Sequence, residues 1–419
     1  MRKRLFAVLL AVVVAATMTA CTANKAKTDK NGTFVEIDET ASDSDGAMGA
    51  AEEFAKASGG MADALPGRGS DGTGHADIPD DNSSALVLTA AEWNDNNNWP
   101  FFTNLVNSGK ITFPSYGIDP RNRVAVTVTD ESGAALRGET VVLYDAEGNV
   151  LWTAKTGTNG IAYLFYREGE TPANVSSGDK KAALTVEKPD PDNQQGAAIV
   201  TSVNEVSIVK TPEAKKPNGV QVMFIIDTTG SMGDELAFLQ KDFSKIAEDV
   251  GTDGVTYSVN FYRDDEDEYV TRCNGFTDDI SRVREIIGAE VSEGGGDEPE
   301  AVAQILKETI TDNDEWSEDA AKVAFMIFDA PPHEGTEDTL KQAIETAARK
   351  GIRLVPVVAS NSTRDTELFG RAIAITTNGT YVFLTDDSGV GETHLEPIVG
   401  DYTVELLHDV IVRIISENR

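Results

Sequence analysis

Two rhythms of apolar and polar residues run along the chain. From Arg123 they alternate in short runs, "VAVTVTD", "ETVVLYD", "VLWTAKT" and "IAYLFY", separated by "ESGAALRG", "AEGN" and "GTNG". A period of two with Gly, Asn and Asp at the breaks predicts antiparallel strands joined by tight turns. "KAALTVE" and "EVSIVK" add two more. Regular spacing of this kind predicts a β-sandwich over residues 118–212. From Val220 the rhythm becomes strand, helix, strand, helix. "VQVMFII", "VTYSVNFY", "EYVTRC", "KVAFMIFD", "IRLVPVVA" and "TYVFL" read as strands. Helical stretches lie between them: "DELAFLQKDFSKIAEDV", "DDISRVREIIGA", "EPEAVAQILKETI" and "TEDTLKQAIETAARK", with "DYTVELLHDVIVRIISENR" at the end. In the first, Leu236, Leu239, Phe243 and Ile246 recur at steps of three and four, giving one apolar face. Near-continuous β-branched strands alternating with helices predict a mostly parallel, doubly wound α/β sheet buried on both faces, over residues 218–419.

The flanking segments read differently. "TPEAKKPNG" has two prolines and no apolar run, so it is read as a linker between the two units. Residues 82–117 hold Trp93, Trp99, Phe101, Phe102, Leu105 and Val106 around the turn formers Asn94–Asn98. That composition predicts a short helical or irregular segment packed on a neighbour. Residues 22–81 are poor in large apolar side chains and rich in Ala, Gly, Ser and Asp, which predicts an acidic, disordered tether. Residues 1–21, "MRKRLFAVLLAVVVAATMTAC", combine three basic residues with an apolar run too short for a comfortable membrane span. With Met18-Thr19-Ala20 before Cys21 they resemble a bacterial lipoprotein signal, although Met18 stands where Leu is usual; an ordinary cleaved secretory signal is the alternative. The resemblance implies a lipid on Cys21, hence a protein anchored to a membrane in the bacterial cell envelope, outside the cytoplasm.

Composition narrows the function. The 419 residues carry a net charge of −34, which excludes the basic face that nucleic-acid binding needs and any charge-driven docking on anionic lipid. With Cys21 lipidated, Cys273 is the one cysteine left, so no intrachain disulfide forms; it reads as a buried strand residue. There is no Gly-Lys-Ser/Thr phosphate loop and no nucleophile paired with a base, so no enzyme is expected.

The chemistry gathers where parallel strands end, the usual ligand face of such sheets. "VMFIID" runs directly into Thr228-Thr229-Gly230-Ser231; "GGGDEPEA" places Asp297 after three glycines; "KVAFMIF" ends at Asp329. Hard divalent cations take oxygen ligands, about six for Mg²⁺. Asp227, Thr229 and Ser231 at alternate positions can face one spot, with Asp297 and Asp329 beside them. The competing reading is that Thr229 or Ser231 caps the following helix. Thr277 and Asp278 read as caps, His333 as a surface loop residue, and Arg263 as a partner for a nearby carboxylate. The acidic run Asp264–Glu268 is placed on the same rim.

Asp227-Thr228-Thr229-Gly230-Ser231 resembles the D-x-S/T-x-S metal-ion-dependent adhesion site of von Willebrand factor type A domains. "NFYRDD", "GGGDEPEA" and "FDAPPH" resemble a subgroup of these domains found beside alpha-kinases, although no kinase domain is present. The alternating unit resembles immunoglobulin-like or carboxypeptidase-regulatory-like modules. The resemblance implies a divalent-cation site formed by Asp227, Thr229, Ser231, Asp297 and Asp329. Mg²⁺ is the first expectation and Ca²⁺ or Mn²⁺ the alternatives, because Asp297 stands where the family usually has Thr. It implies a protein partner at the strand-end face. The alternative is a scaffold in an envelope complex whose metal is purely structural.

Overall fold

A computed structural model describes residues 88–184, 204–212, 217–296, 298–388 and 393–419. The signal segment with Cys21, the tether and Asp297 lie outside the described residues.

The chain enters as β1 (Thr89–Trp93) and α1 (Trp99–Asn107). Seven strands follow: β2 (Arg123–Thr129), β3 (Thr140–Asp145), β4 (Val150–Lys155), β5 (Ile161–Phe165), β6 (Pro172–Ser177), β7 (Lys180–Ala183) and β8 (Asn204–Val209). They form two sheets, β5-β2-β8 and β4-β3-β6-β7. Trp152 on β4 meets Phe165 on β5 edge to face at 5.5 Å, joining the inner faces. The sandwich is not wholly antiparallel, because β8 pairs β2 in parallel after a long return. Inside it Lys210 and Glu139, both buried, pair at 2.9 Å.

The α/β unit contains β9 (Val220–Asp227), α2 (Gly233–Val250), β10 (Val255–Tyr262), β11 (Thr271–Arg272), α3 (Ile280–Ala289), α4 (Val302–Leu306), β12 (Ala321–Phe328), α5 (Glu337–Lys350), β13 (Ile352–Val358), α6 (Arg364–Thr376), β14 (Tyr381–Thr385), β15 (Val404–Leu406) and α7 (Leu407–Glu417). The sheet order is β11-β10-β9-β12-β13-β14-β1-β15. The five strands β10, β9, β12, β13 and β14 run parallel; β11 and β1 run against them at the two sides, and β15, antiparallel to β1, again runs with them. All eight residues of β9 and of β12 are buried, as continuous apolar strands between two helical layers require. Side chains alternate along β9. Val222, Phe224 and Ile226 face α2, α3 and α7, where Leu239, Phe243, Ile287 and Ile411 complete one core. Met223 and Ile225 face a second core shared with α4, α5, α6, α1 and the sandwich.

Several expectations are corrected. The described part of the 82–117 segment is not separate: β1 lies in the α/β sheet between β14 and β15. Cys273 is exposed just beyond β11, because only Thr271 and Arg272 of "EYVTRC" pair with β10. The helix expected over 298–310 is regular only from Val302 to Leu306, followed by one wider turn over Lys307–Thr311. Asp279, not Thr277 or Asp278, caps α3, accepting from the main-chain N–H of Ser281 and Arg282. The closing helix is preceded by β15. The sandwich rests on the α/β unit: Asn378 donates to the Ile161 carbonyl and Arg137 to the Asn418 carbonyl and a backbone oxygen of the final residue, Arg419.

Candidate metal centre

β9 ends in the middle of the parallel sheet, and its final residue, Asp227, is fully buried. Its Oδ1 accepts from the Thr229 main-chain N–H at 2.9 Å and from Thr229 Oγ1 at 2.7 Å. Its Oδ2 is buried with no hydrogen-bond partner. Thr229 Oγ1 lies 3.4 Å from the hydroxyl of exposed Ser231. The Ser231 hydroxyl is in turn near enough to Asp329, which directly follows β12, to act on its carboxyl. Four of the five expected ligands therefore gather at one strand-end site. Thr228, between them, turns away: its hydroxyl contacts the Tyr262 carbonyl and the Tyr269 hydroxyl.

The helix-cap alternative is not what these hydroxyls do. Thr229 precedes a short 3₁₀ turn and Met232 precedes α2, and neither position makes a side-chain capping bond.

The electrostatics are strained in one direction. Burial, then the neighbouring Asp329 charge, pushes the Asp227 carboxyl up to about 7. Asp329 is also raised by burial, against the pull of Ser231. Glu300, which sequence reading passed over, belongs to the same cluster. Its Oε2 is buried without a partner, and burial plus the charges of Asp227, Asp264, Asp329 and Asp267 push it up to about 9. The available signal was its place in "GGGDEPEA", where three acids follow the glycines. Tyr262, paired in register with Asp227, is raised well above the usual phenol range by burial and then by Asp227. The Tyr262 hydroxyl is near enough to act on the Asp227 charge, yet neither it nor Asp227 Oδ2 has a hydrogen bond of acceptable geometry. Glu235 of α2, held through Oε1 by Ser360, is raised by burial and has a second unpartnered oxygen.

The glycine loop closes the site from above. Gly230 N–H donates to the Gly294 carbonyl at 3.1 Å, and Glu293 N–H to the Thr228 carbonyl at 3.0 Å. Asp267, from the acidic run, accepts from Gly295 N–H at 2.8 Å and from Asp264 N–H at 3.1 Å. Asp264 meets His333 Nε2 at 2.6 Å, so this half-buried histidine ties the loop after β12 to the acidic rim. Arg263 is buried, donating to the Val291 carbonyl at 2.7 Å and pairing with Glu290. Gly294 has φ +83, and a Cβ there would lie 2.2 Å from Asp267 Oδ1. Gly294→Ala is therefore expected to cost about 1–3 kcal/mol in denaturant unfolding, with a matching loss of order in this loop. Unchanged stability would mean that the loop relaxes freely.

Among the described residues no group of three or more Asp, Glu, His or Cys side chains is placed to hold a metal. A cation here therefore needs the hydroxyls of Thr229 and Ser231 as well as Asp227 and Asp329. That donor set suits a hard cation that retains waters. The unpartnered Oδ2 of Asp227 is the buried oxygen that such an ion would meet.

Residues 221–394 match the von Willebrand factor A domain family. The chain is 26% identical over 211 residues to an ariadne-like RING finger protein of Acanthamoeba polyphaga mimivirus, a match covering 45% of this chain. It spans only 20% of that protein's length. Among solved structures, BatB from Bacteroides thetaiotaomicron is 15% identical, with a TM-score of 0.32 over 42% of this chain and 92% of that one.

Proposed function

We propose that the chain, whose residues 221–394 match the von Willebrand factor A domain family, is a lipid-anchored binding protein of the bacterial cell envelope that engages a protein partner through a divalent cation at the ends of β9 and β12. The observation that carries the cation is Asp227: fully buried, one oxygen spent on Thr229, the other unpartnered beside a second raised carboxyl. Asp227, Thr229, Ser231 and Asp329 would hold the ion, and Asp297, by its place in the glycine loop, would join them. Mg²⁺ is the first candidate and Ca²⁺ or Mn²⁺ the alternatives. When bound, the ion supplies positive charge and open coordination positions for an oxygen of the partner. The residues position it and exclude water from its buried side. The lipoprotein-like signal with Cys21 supports the anchor, and the acidic tether supports reach away from the membrane.

Glu300 favours a second reading. Together with Asp264 and Asp267 it adds carboxylate charge near the ion. That charge would hold the cation harder and repel an acidic partner group, making the metal structural and the protein a scaffold. Capture of partners from solubilised envelope, in Mg²⁺ and in chelator, decides between them. Retention in Mg²⁺ alone, lost in Asp227→Asn, is expected. Retention that survives chelation moves the protein to the scaffold reading, and no saturable ion binding by calorimetry overturns both.

A further inference from the structure

At the opposite end of the sheet from the candidate metal centre, a cavity of about 320 Å³ lies between the sandwich and the α/β unit. The sandwich contributes Arg137, Lys155 and Tyr163. The α/β unit contributes Lys322 at the start of β12, Arg353 at the start of β13 and Glu318 before them. In a chain with net charge −34 this concentration of cations is anomalous. Most anomalous is the lack of counter-charge at Lys322 and Arg353. Lys322 is only 5% exposed, and its ammonium donates to the Lys350 carbonyl at 3.2 Å. Arg353 is held by the Asn378 carbonyl at 2.7 Å and Asn418 Oδ1 at 2.6 Å, both neutral. Arg137 is fixed by the main-chain carbonyl of Asn418 and by a backbone oxygen of the final residue, Arg419. Among the described residues neither Lys322 nor Arg353 has a carboxylate at ion-pair distance, whereas Lys155 pairs with Glu318, whose side chain is 81% exposed.

We propose that this cavity binds a small oxyanion, a solute bearing a phosphate, sulfate or carboxylate group, with Lys322 and Arg353 as its direct partners and Arg137 closing on it from the sandwich. Buried cations are stable when paired and costly when not. Here neutral acceptors hold Lys322 and Arg353 in place beside an open volume, which is how a protein preorganises an anion site rather than an internal ion pair. Arginine with two fixed donors offers a flat fork for an oxyanion, and lysine adds a point charge. The cavity volume is at the small end of sites for small molecules. Two further observations agree. Burial, then Lys155, pushes the Lys322 ammonium down to about 8, and Arg137 is lowered by burial and then by Arg353. Both shifts come from burial and neighbouring cations, and at Lys322 the charges of Glu318 and Asp319 offset them only in part. A ligand here bridges both units, so its binding also fixes the sandwich on the α/β unit.

The test is thermal unfolding of the full chain in phosphate, sulfate and citrate against chloride at equal ionic strength, with Lys322→Met and Arg137→Gln alongside. A rise of at least about 2 °C above chloride is expected for one of the oxyanions, and the one that gives it identifies the headgroup. Lys322→Met, which removes an unpaired buried cation, is expected to unfold no earlier than the unmodified protein in chloride and to lose the oxyanion-specific rise. Arg137→Gln reduces that rise. Equal behaviour in all four salts overturns the proposal, as does an oxyanion-specific rise that both variants retain.

Discussion

In chelator at pH 8, Asp227→Asn is expected to be more stable than the unmodified protein, and addition of Mg²⁺ is expected to stabilise only the unmodified protein. Asparagine keeps the Oδ1 acceptor that Thr229 uses and removes the buried charge on the other oxygen. The sign follows from linkage. Asp227 titrates at 3.8 in the unfolded chain and at about 7 in the fold. A raised carboxyl contributes stability below its unfolded pKa, and that contribution is lost as pH rises through the folded value. Glu300 extends the loss from 4.5 to about 9. For Asp227 the full shift corresponds to on the order of 4 kcal/mol at pH 8, an upper figure because the cluster titrates together. A cation bound to the folded protein alone adds about 2.7 kcal/mol at 100 times its dissociation constant. Urea midpoints from pH 4 to 9, with and without Mg²⁺, check both halves. A flat metal-free profile, or an Asp227→Asn protein that Mg²⁺ still stabilises, would remove Asp227 from the site.

The parallel strands were legible because burial on both faces leaves continuous apolar runs, and β9, β10, β12 and β13 fall within a residue or so of the stretches quoted from the sequence. The strand-end gathering of Asp227, Thr229, Ser231 and Asp329 was legible for the same reason: a polar cluster abutting an apolar strand stands out. Glu300 was not, since acids in an acidic chain carry no local signal and its role depends on a loop folding back on β9. β1 was hidden differently. "TAAEW" is short and mixed, and its partner β14 lies almost 300 positions away, at register pairs such as Thr89↔Thr385. Only the closed sheet reveals that pairing. Cys273 was misplaced because β11 pairs over two residues, too few for hydrophobic alternation to mark where it stops.

The hidden strand has the larger practical consequence: a fragment of residues 218–419, the boundary the sequence suggests, is expected not to fold stably, whereas residues 88–419 are. Without β1, strand β14 loses its antiparallel neighbour along five residue pairs, and β15 loses the strand on which it is laid. The second core loses Trp93, Trp99, Phe102 and Leu105. At about 1.5–3 kcal/mol for each large side chain, the loss approaches the 5–15 kcal/mol that typically stabilises a whole domain. The cut also strands a charge. Arg371, fully buried on α6, donates to both oxygens of Asp95 at 2.8 and 2.7 Å and to Glu367 at 3.1 Å. Removing Asp95 leaves that guanidinium with one carboxylate. Because the short fragment also lacks the sandwich, Asp95→Leu in the full chain separates the two causes. It keeps the sandwich, breaks the buried pair, and is expected to cost about 3–5 kcal/mol. Urea unfolding followed by circular dichroism reads all three proteins. A 218–419 fragment with the same midpoint as 88–419, or an Asp95→Leu protein as stable as the unmodified chain, would mean that β1 and α1 decorate a sheet complete without them.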